Sequence, residues 1–191
     1  MSKQAFASAI ISKMKAAIGN NGLSFNSGTA PSAQSSVAQA ITEYLIANTT
    51  VTVKYSGIIP GTPPTPDPTI IDTFKIVGTC APLSPSNSFD SWIMELQNKI
   101  IAGFSLAPSG TAGVMFPQKP FLAPGATVRQ PMLKAAHSVG DKNPQQKIWE
   151  IVCDSIIQWI NASAINPAPG PATHPTAGSA GMANIIKITL K

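Results

Sequence analysis

This chain has few charged residues. Lysine and arginine contribute 13 residues and aspartate and glutamate 8, so that 11% of the 191 residues are charged, where a soluble domain usually carries roughly a quarter. Hydrophobic residues still account for 43%. A free globular protein needs charge to keep its copies apart. We therefore expect much of the surface to be covered, by partner subunits or by a membrane.

A long apolar run is also missing. The chain has no stretch of 18 consecutive apolar residues, and we therefore predict no membrane span. The N-terminal MSKQAFASAIISKMKAAIG carries Lys13 and Lys15 where a secretory leader would stay apolar. We expect this segment to be the first helix of the protein and not a targeting signal. Partner subunits are then the expected cover for the surface.

Arginine is nearly absent. The net charge of +5 suggests nucleic-acid binding at first sight, but the twelve lysines are scattered singly and Arg129 is the one arginine. Surfaces that bind nucleic acids cluster their basic residues and favour arginine. Direct, sequence-specific nucleic-acid binding is therefore disfavoured. The one asymmetry is that no acidic residue precedes Glu43, so the N-terminal stretch is locally basic.

Cysteine is scarce as well. Cys80 and Cys153 are too few for the disulfide framework of a small secreted domain. We expect both to be buried thiols. A single bridge that joins the two halves of the chain is the alternative.

The residue patterns of common enzymes do not occur. The sequence has no GxSxG, HExxH or GxxxxGK motif. The glycines of SGTAGVM, residues 109–115, lack the lysine that a phosphate-binding loop requires. Glu150 and Asp154 share one face of a predicted helix, and we interpret them as a solvated face and not as an acid/base pair. The expectation is a protein that is not an enzyme and that uses no cofactor and no metal.

The two histidines offer little chemistry. His137 and His174 fall in predicted loops without cysteine or histidine at metal-ligand spacing, and we expect both at the surface. Asp72 lies in a predicted strand with Phe74 and Ile76 and is expected to point outward. An enzyme stays open as an alternative, in which His137 would meet Cys153 or a carboxylate in a pocket.

Hydrophobic periodicity predicts an α+β fold. Apolar residues at helical spacing indicate four helices, at about 4–18, 32–48, 88–104 and 144–161. Runs rich in β-branched residues indicate strands at 51–55, 70–77 and 184–190, of which the first two should form a long-looped hairpin. We expect one domain, 1–191, with about four helices packed on a small, mainly antiparallel sheet. A pseudo-repeat of residues 1–82 and 83–191 is a further hypothesis.

Proline and glycine concentrate in long connections. The segment 60–68, PGTPPTPDP, holds five prolines in nine residues and predicts an extended connector. Two further loops, 105–143 and 166–181, are rich in both residues. Loops of this length are usually functional or covered by another element. We therefore expect them to act as arms that contact neighbouring chains.

The arms and the last strand supply the interface candidates. The loop 105–143 contains aromatic residues, and the final strand could add to the sheet edge of a neighbour. A helical tryptophan is expected in the core first and at an interface as the alternative. The candidates are Phe116, Phe121, Trp149, Ile185, Ile186 and Ile188.

The segments PGTPPTPDP, NPAPGPATHPTAGSAG and NIIKITL resemble, in general style, the small virion structural proteins of tailed bacteriophages. Those subunits are often sparsely charged and combine a compact α+β body with arms that lace into adjacent subunits. The resemblance covers the whole chain in character and includes no specific motif. It implies a non-enzymatic part of the neck, tail, baseplate or capsid surface of a virion, assembled in the host cytoplasm. Its partners would be other virion structural proteins and copies of itself.

A binding module or adhesin is the alternative function. It would use the loop 105–143, and it predicts an exposed aromatic groove that contains Phe116 or Phe121.

Overall fold

In the computed structural model of this chain, four helices and six strands make up the regular structure of the described residues. The structure describes residues 3–18, 31–59, 65–66, 69–84, 89–122, 145–163, 169–175 and 181–191. The helices are α1 (Lys3–Ile18), α2 (Pro31–Asn48), α3 (Phe89–Gly103) and α4 (Gln145–Ala162). The strands are β1 (Thr49–Ile59), β2 (Thr65–Pro66), β3 (Ile70–Gly78), β4 (Phe104–Leu106), β5 (Gly170–Ala172) and β6 (Gly181–Leu190). The predicted α+β fold is confirmed.

The sheet has the strand order β4-β3-β1-β6-β5, and every neighbouring pair is antiparallel. The predicted hairpin is confirmed, with Val51 of β1 opposite Phe74 of β3. The short strand β2 pairs with the end of β1. Strands from both halves of the chain thus share one sheet, and the hypothesis of a pseudo-repeat stays a prediction.

The C-terminal strand β6 lies inside this sheet, between β1 and β5. Its register with β1 runs from Thr49 opposite Leu190 to Gly57 opposite Gly181. β5 pairs only with Gly181–Ala183 of β6, so residues 184–190 pair with β1 on one side and with no described strand on the other. The expectation that this strand adds to the sheet of a neighbour therefore stays a prediction.

A β-bulge in β6 keeps four apolar side chains of that strand in the core. The register with β1 shifts so that Thr52 faces Lys187 while Val53 faces Ile185, which leaves Ile186 as the extra residue. Simple alternation would put Ile185 and Ile188 on opposite faces, since they are three positions apart. The bulge instead turns both of them inward, together with Ala183 and Leu190, all of which are buried.

The helices pack on the inner face of the sheet. Their apolar side chains form one buried cluster with those of β1, β3 and β6. Phe6 of α1 stacks on Tyr44 of α2 with ring centroids 4.0 Å apart. The Tyr44 hydroxyl donates a hydrogen bond of 2.8 Å to the carbonyl oxygen of Lys191, which attaches the end of β6 to α2. None of the described helices has the length and apolar character needed to cross a membrane.

Parts of the predicted arms pack on their own chain. Residues 107–122 and 169–175 lie against the sheet through backbone hydrogen bonds and buried side chains. The rest of the loops 105–143 and 166–181, and most of the connector 60–68, fall outside the described residues. The segment 107–122 thus completes its own fold, and the expectation that the arms contact neighbouring chains stays a prediction.

Both cysteines are buried free thiols, as expected. Cys153 lies on α4 in the centre of the core, where burial raises its pKa well above the ordinary value. Burial raises the pKa of Cys80 to about 11, from an ordinary value of 9.0. The nearby Lys99 partly offsets this effect. Folding therefore favours the neutral form of both thiols.

The raised pKa of Cys80 predicts a loss of stability in alkaline solution. Below the ordinary pKa of 9.0 both the folded and the unfolded thiol are neutral, and the stabilisation is fully present. As the pH rises from there towards about 11, the unfolded thiol ionises first and the free energy of unfolding falls. We expect the free energy of unfolding in urea to fall less between pH 7 and pH 10 for Cys80→Ala than for the wild type. Equal losses in the two proteins would contradict the shift.

Candidate functional site

The segment after β4 connects the two edges of the sheet. Ala107 N donates a 2.8 Å hydrogen bond to the carbonyl oxygen of Lys75 on β3. Further along, Met115 and Thr173 exchange two backbone hydrogen bonds of 2.8 and 3.0 Å immediately after β5. Residues 107–122, the closing segment, therefore begin at the β4 edge and reach the β5 edge. The curved sheet becomes a half-barrel that is bridged at this end.

The carboxylate of Asp72 holds the closing segment in place. It accepts hydrogen bonds from Ala112 N at 2.7 Å and Thr111 Oγ1 at 3.0 Å on one oxygen, and from Val114 N at 3.0 Å on the other. The side chain is only 1% exposed. A side chain at Gly110 would collide with this carboxylate, so glycine is required there. Backbone N–H groups thus compensate for the buried negative charge.

The expectation that Asp72 points outward is wrong. Residues two positions apart on a strand share a face, and Asp72 therefore lies on the same inner face as Phe74 and Ile76, which are both buried. A carboxylate on this face is tolerated because the donors of the closing segment replace the water that it loses.

His174 is a second internal contact of the closing segment. Its Nε2 lies 2.9 Å from the carbonyl oxygen of Ala112, which can only accept, so Nε2 carries the proton and donates. The ring is 8% exposed and lies 6.0 Å from the ring of Tyr55 between centroids. The expectation of a surface position for His174 is therefore wrong. His137, the other histidine, falls outside the described residues.

The far end of the closing segment is attached to α4. Phe121 contacts the ring of Phe104 edge-on, with centroids 6.0 Å apart, and its ring also lies 6.4 Å from that of Trp159. Trp159 Nε1 donates a 2.9 Å hydrogen bond to the carbonyl oxygen of Leu122. The aromatic residues of the loop therefore serve as attachments within the chain.

Five of the six interface candidates are buried in the core of their own chain. Their relative exposures are 1%, 1%, 2%, 3% and 3%, for Phe116, Phe121, Trp149, Ile185 and Ile188 respectively. These assignments are wrong, because apolar character in a sequence does not distinguish burial by the same chain from burial by a partner. Trp149 packs edge-on against Trp92 of α3. Ile186 is different, since it is 43% exposed at the bulge.

The same burial removes the predicted aromatic groove. Phe116 and Phe121 are each 1% exposed, so neither can offer a ring to a ligand on an open surface. The exposed aromatic groove that the binding-module alternative predicts is therefore not formed by these two residues.

An apolar cleft of about 750 Å³ lies between the two edges that the closing segment bridges. Its walls come from β3, β4, β5 and the closing segment and include Val77, Leu106, Met115, Pro117, Pro171 and Ala172. Met115 and Val77 are 46% and 43% exposed. The sequence carries no periodic signal for this cleft, because its walls are brought together by short strands and by contacts between distant residues.

Lys119 is the one charged residue in the wall of the cleft. Its ammonium group donates hydrogen bonds to the carbonyl oxygens of Ala102, at 2.8 Å, and Phe104, at 3.2 Å, which lie at and just after the end of α3. The positive charge therefore compensates the carbonyl end of this helix. The other described walls of the cleft are mainly apolar, and the ammonium group keeps its positive charge.

The hydroxyl groups of Ser105 and Thr173 lie in the described wall of the cleft, without a carboxylate or imidazole in that wall to activate them. No carboxylate, imidazole or thiol is among its walls in the part of the chain that the structure describes. Within the same part, no group of three or more histidine, cysteine, aspartate or glutamate residues is placed to hold a metal ion. The arrangement can bind apolar groups by burying them.

Comparison with known proteins adds no relative: no protein-family model, no curated protein and no solved structure matches this chain.

Replacing Asp72 by asparagine should destabilise the fold strongly. The amide keeps one acceptor but turns two donor hydrogens towards N–H groups that need an acceptor. We expect the free energy of unfolding in urea to fall by about 2–4 kcal/mol. Amide hydrogen exchange at Ala112 and Val114 should accelerate most.

Asp154→Asn is the matched control for this substitution. Asp154 lies on α4, where its carboxylate accepts a hydrogen bond from the Gln158 side chain in an exposed position. We expect a change within about 0.5 kcal/mol. Similar losses in the two variants would show that Asp72 has no special role.

Proposed function

We propose that this protein is a non-enzymatic structural subunit of a phage virion or phage-like particle, and that its apolar cleft binds an apolar segment of a neighbouring subunit. The observation that carries the proposal is the cleft itself, an open, mainly apolar cavity of about 750 Å³ on a chain with 11% charged residues. Exposed apolar surfaces of this kind mark interaction sites in soluble proteins.

The chemistry of the cleft favours an uncharged protein segment as its occupant. The volume of about 750 Å³ is large enough for several side chains together, since pockets for whole small ligands span roughly 300–1,000 Å³. The ammonium group of Lys119 is engaged by backbone carbonyls of its own chain. Apolar contacts therefore stabilise the bound occupant, and no ion pair contributes to its binding.

The strand edges beside the cleft favour binding through side chains. β4 and β5 are three residues each, and Pro171 at the centre of β5 has no N–H group to donate. Short edges that contain proline resist the addition of a further strand. The proposed contact thus inserts side chains of a partner between the two edges.

The proposed partners are other virion structural proteins and copies of this chain. Sparse charge supports this, because a subunit that is buried in a particle does not depend on charge for its solubility. The general resemblance of the sequence to virion proteins supports the same assignment. The virion is the corresponding location, reached by assembly in the host cytoplasm.

The variant Met115→Glu tests the cleft in assembly. Met115 is 46% exposed on the cleft wall, and a carboxylate there would be desolvated by an apolar occupant. Particles produced without the chain would be complemented with wild-type or variant protein, purified on a density gradient and analysed by mass spectrometry. We expect the particles to contain the wild-type protein in stoichiometric amounts and to lack the Met115→Glu variant.

The control is Met94→Glu, which makes the same change at a 39% exposed position on α3, away from the cleft wall. Both variants should unfold in urea as the wild type does, so that loss from particles reports binding. Absence of the wild-type protein from particles would refute the structural role. Normal incorporation of Met115→Glu would refute the role of the cleft alone.

A further inference from the structure

The face of the sheet opposite the helices is covered by none of the elements that the structure describes. It is made of the alternate side chains of the three long strands, and none of these side chains is buried. This outer face consists of Thr50, Thr52, Lys54 and Ser56 of β1, Ile71, Thr73, Lys75 and Val77 of β3, and Met182, Asn184, Ile186, Lys187 and Thr189 of β6.

The charge on the outer face has one sign. Lys54, Lys75 and Lys187 are all exposed there. Asp72, the carboxylate of β3, points inward, and the other carboxylates whose side chains the structure describes belong to helices. The ion pairs found among the described residues join Lys13 to Glu43 and Lys99 to Glu95. Within the described residues, no carboxylate forms an ion pair with the three sheet lysines.

The three lysines form a triangle around Thr52. Lys187 is directly opposite Thr52 on β6, Lys54 is two residues along β1, and Lys75 on β3 faces Thr50. Strand spacings of about 4.8 Å and rises of about 3.3 Å per residue place Lys187 about 8 Å from Lys54 and about 12 Å from Lys75, measured between Cα atoms. A nucleic-acid strand carries one charge for roughly every 3.4 Å of its axis. Several phosphates can therefore pass over this triangle.

The arrangement of polar and apolar residues favours a nucleic acid over a protein partner. Protein interfaces have an apolar centre and a polar rim and are depleted in lysine. Here the central strand β1 presents only threonine, lysine and serine outward, and the large apolar residues lie on the flanking strands β3 and β6. Lysine and threonine side chains are common donors to phosphate oxygens.

We propose that the outer face binds the phosphate backbone of a nucleic acid without preference for sequence. Lysine acts as a point charge on phosphate, whereas base-specific contacts rely mainly on arginine, asparagine and glutamine that reach base edges. The described outer face has no arginine and no glutamine, and Asn184 is the one asparagine on it. This agrees with the expectation that the chain does not recognise a specific sequence.

The proposal goes beyond the structural role and rests on other residues, because Val77 belongs to both the outer face and the cleft wall but none of the three lysines lines the cleft. The cleft lies between the edges of the sheet, and the lysine triangle lies in the middle of its outer face. Loss of one function therefore leaves the other measurable. A subunit that assembles through its cleft would present the lysines to the nucleic acid of the particle.

The test compares two double variants with the same change in net charge. Lys54→Gln/Lys187→Gln removes two corners of the triangle, and Lys3→Gln/Lys15→Gln removes two exposed lysines of α1. Fluorescence anisotropy would follow binding of the purified full chain to labelled duplex and single-stranded DNA of mixed sequence over a range of salt concentrations. For three phosphate contacts, the logarithm of the wild-type association constant should fall with the logarithm of salt with a slope of about −2.7 on duplex DNA.

We expect Lys54→Gln/Lys187→Gln to bind more weakly and to reduce the magnitude of this slope by about 2. Lys3→Gln/Lys15→Gln should keep the wild-type slope, and a shuffled DNA sequence should bind equally well. Equal losses in both variants would overturn the proposal, because general attraction to a basic protein would then suffice. Failure to bind DNA at low salt would overturn it too, as would equal lysine-dependent binding to polyglutamate, which indicates an acidic protein partner.

Discussion

The buried carboxylate of Asp72 is the interaction on which the unusual part of this structure depends. Asp72 collects two backbone N–H groups and a hydroxyl group from residues 111–114 of the closing segment. Without these contacts, nothing in the local sequence would direct a segment rich in glycine and proline across the sheet. The cleft, the buried His174 and the attachment of Phe121 to α4 all follow from that path. One charged residue in a chain with few charges therefore organises the region proposed to contact other subunits.

The regular elements could be predicted from the sequence because their signals are local. Helical spacing of apolar residues located all four helices, and β-branched runs located β1, β3 and β6, with the ends of the helices correct to about one residue. Short strands such as β4 and β5 have too few residues for any periodicity. The closing segment depends on residues about 40 positions apart, such as Asp72 and Ala112. Such contacts leave no pattern in a window of neighbouring residues.

The candidate site was harder to predict for a related reason. Phe116, Phe121 and Trp149 are large and apolar, and this property fits a core as well as an interface. The structure places them in the core and leaves smaller or more flexible residues, such as Val77 and Met115, on the open surface. The inward orientation of Asp72 was not predicted, although its two-residue spacing from Phe74 and Ile76 places it on the same face of the strand as they are. Strand parity was a better guide there than the polarity of the residue.

The bulge at Ile186 has a consequence for the shape of the whole sheet. Without Ile186, the remaining residues of β6 would alternate regularly and every inward side chain would keep its direction. The additional residue is therefore dispensable for core composition, and its effect is on curvature, since bulges bend and twist the strand that contains them. A version of the chain that is one residue shorter would have a flatter sheet with its two margins further apart. The width of the gap between β4 and β5 is thus influenced by an isoleucine that pairs with neither of these two strands.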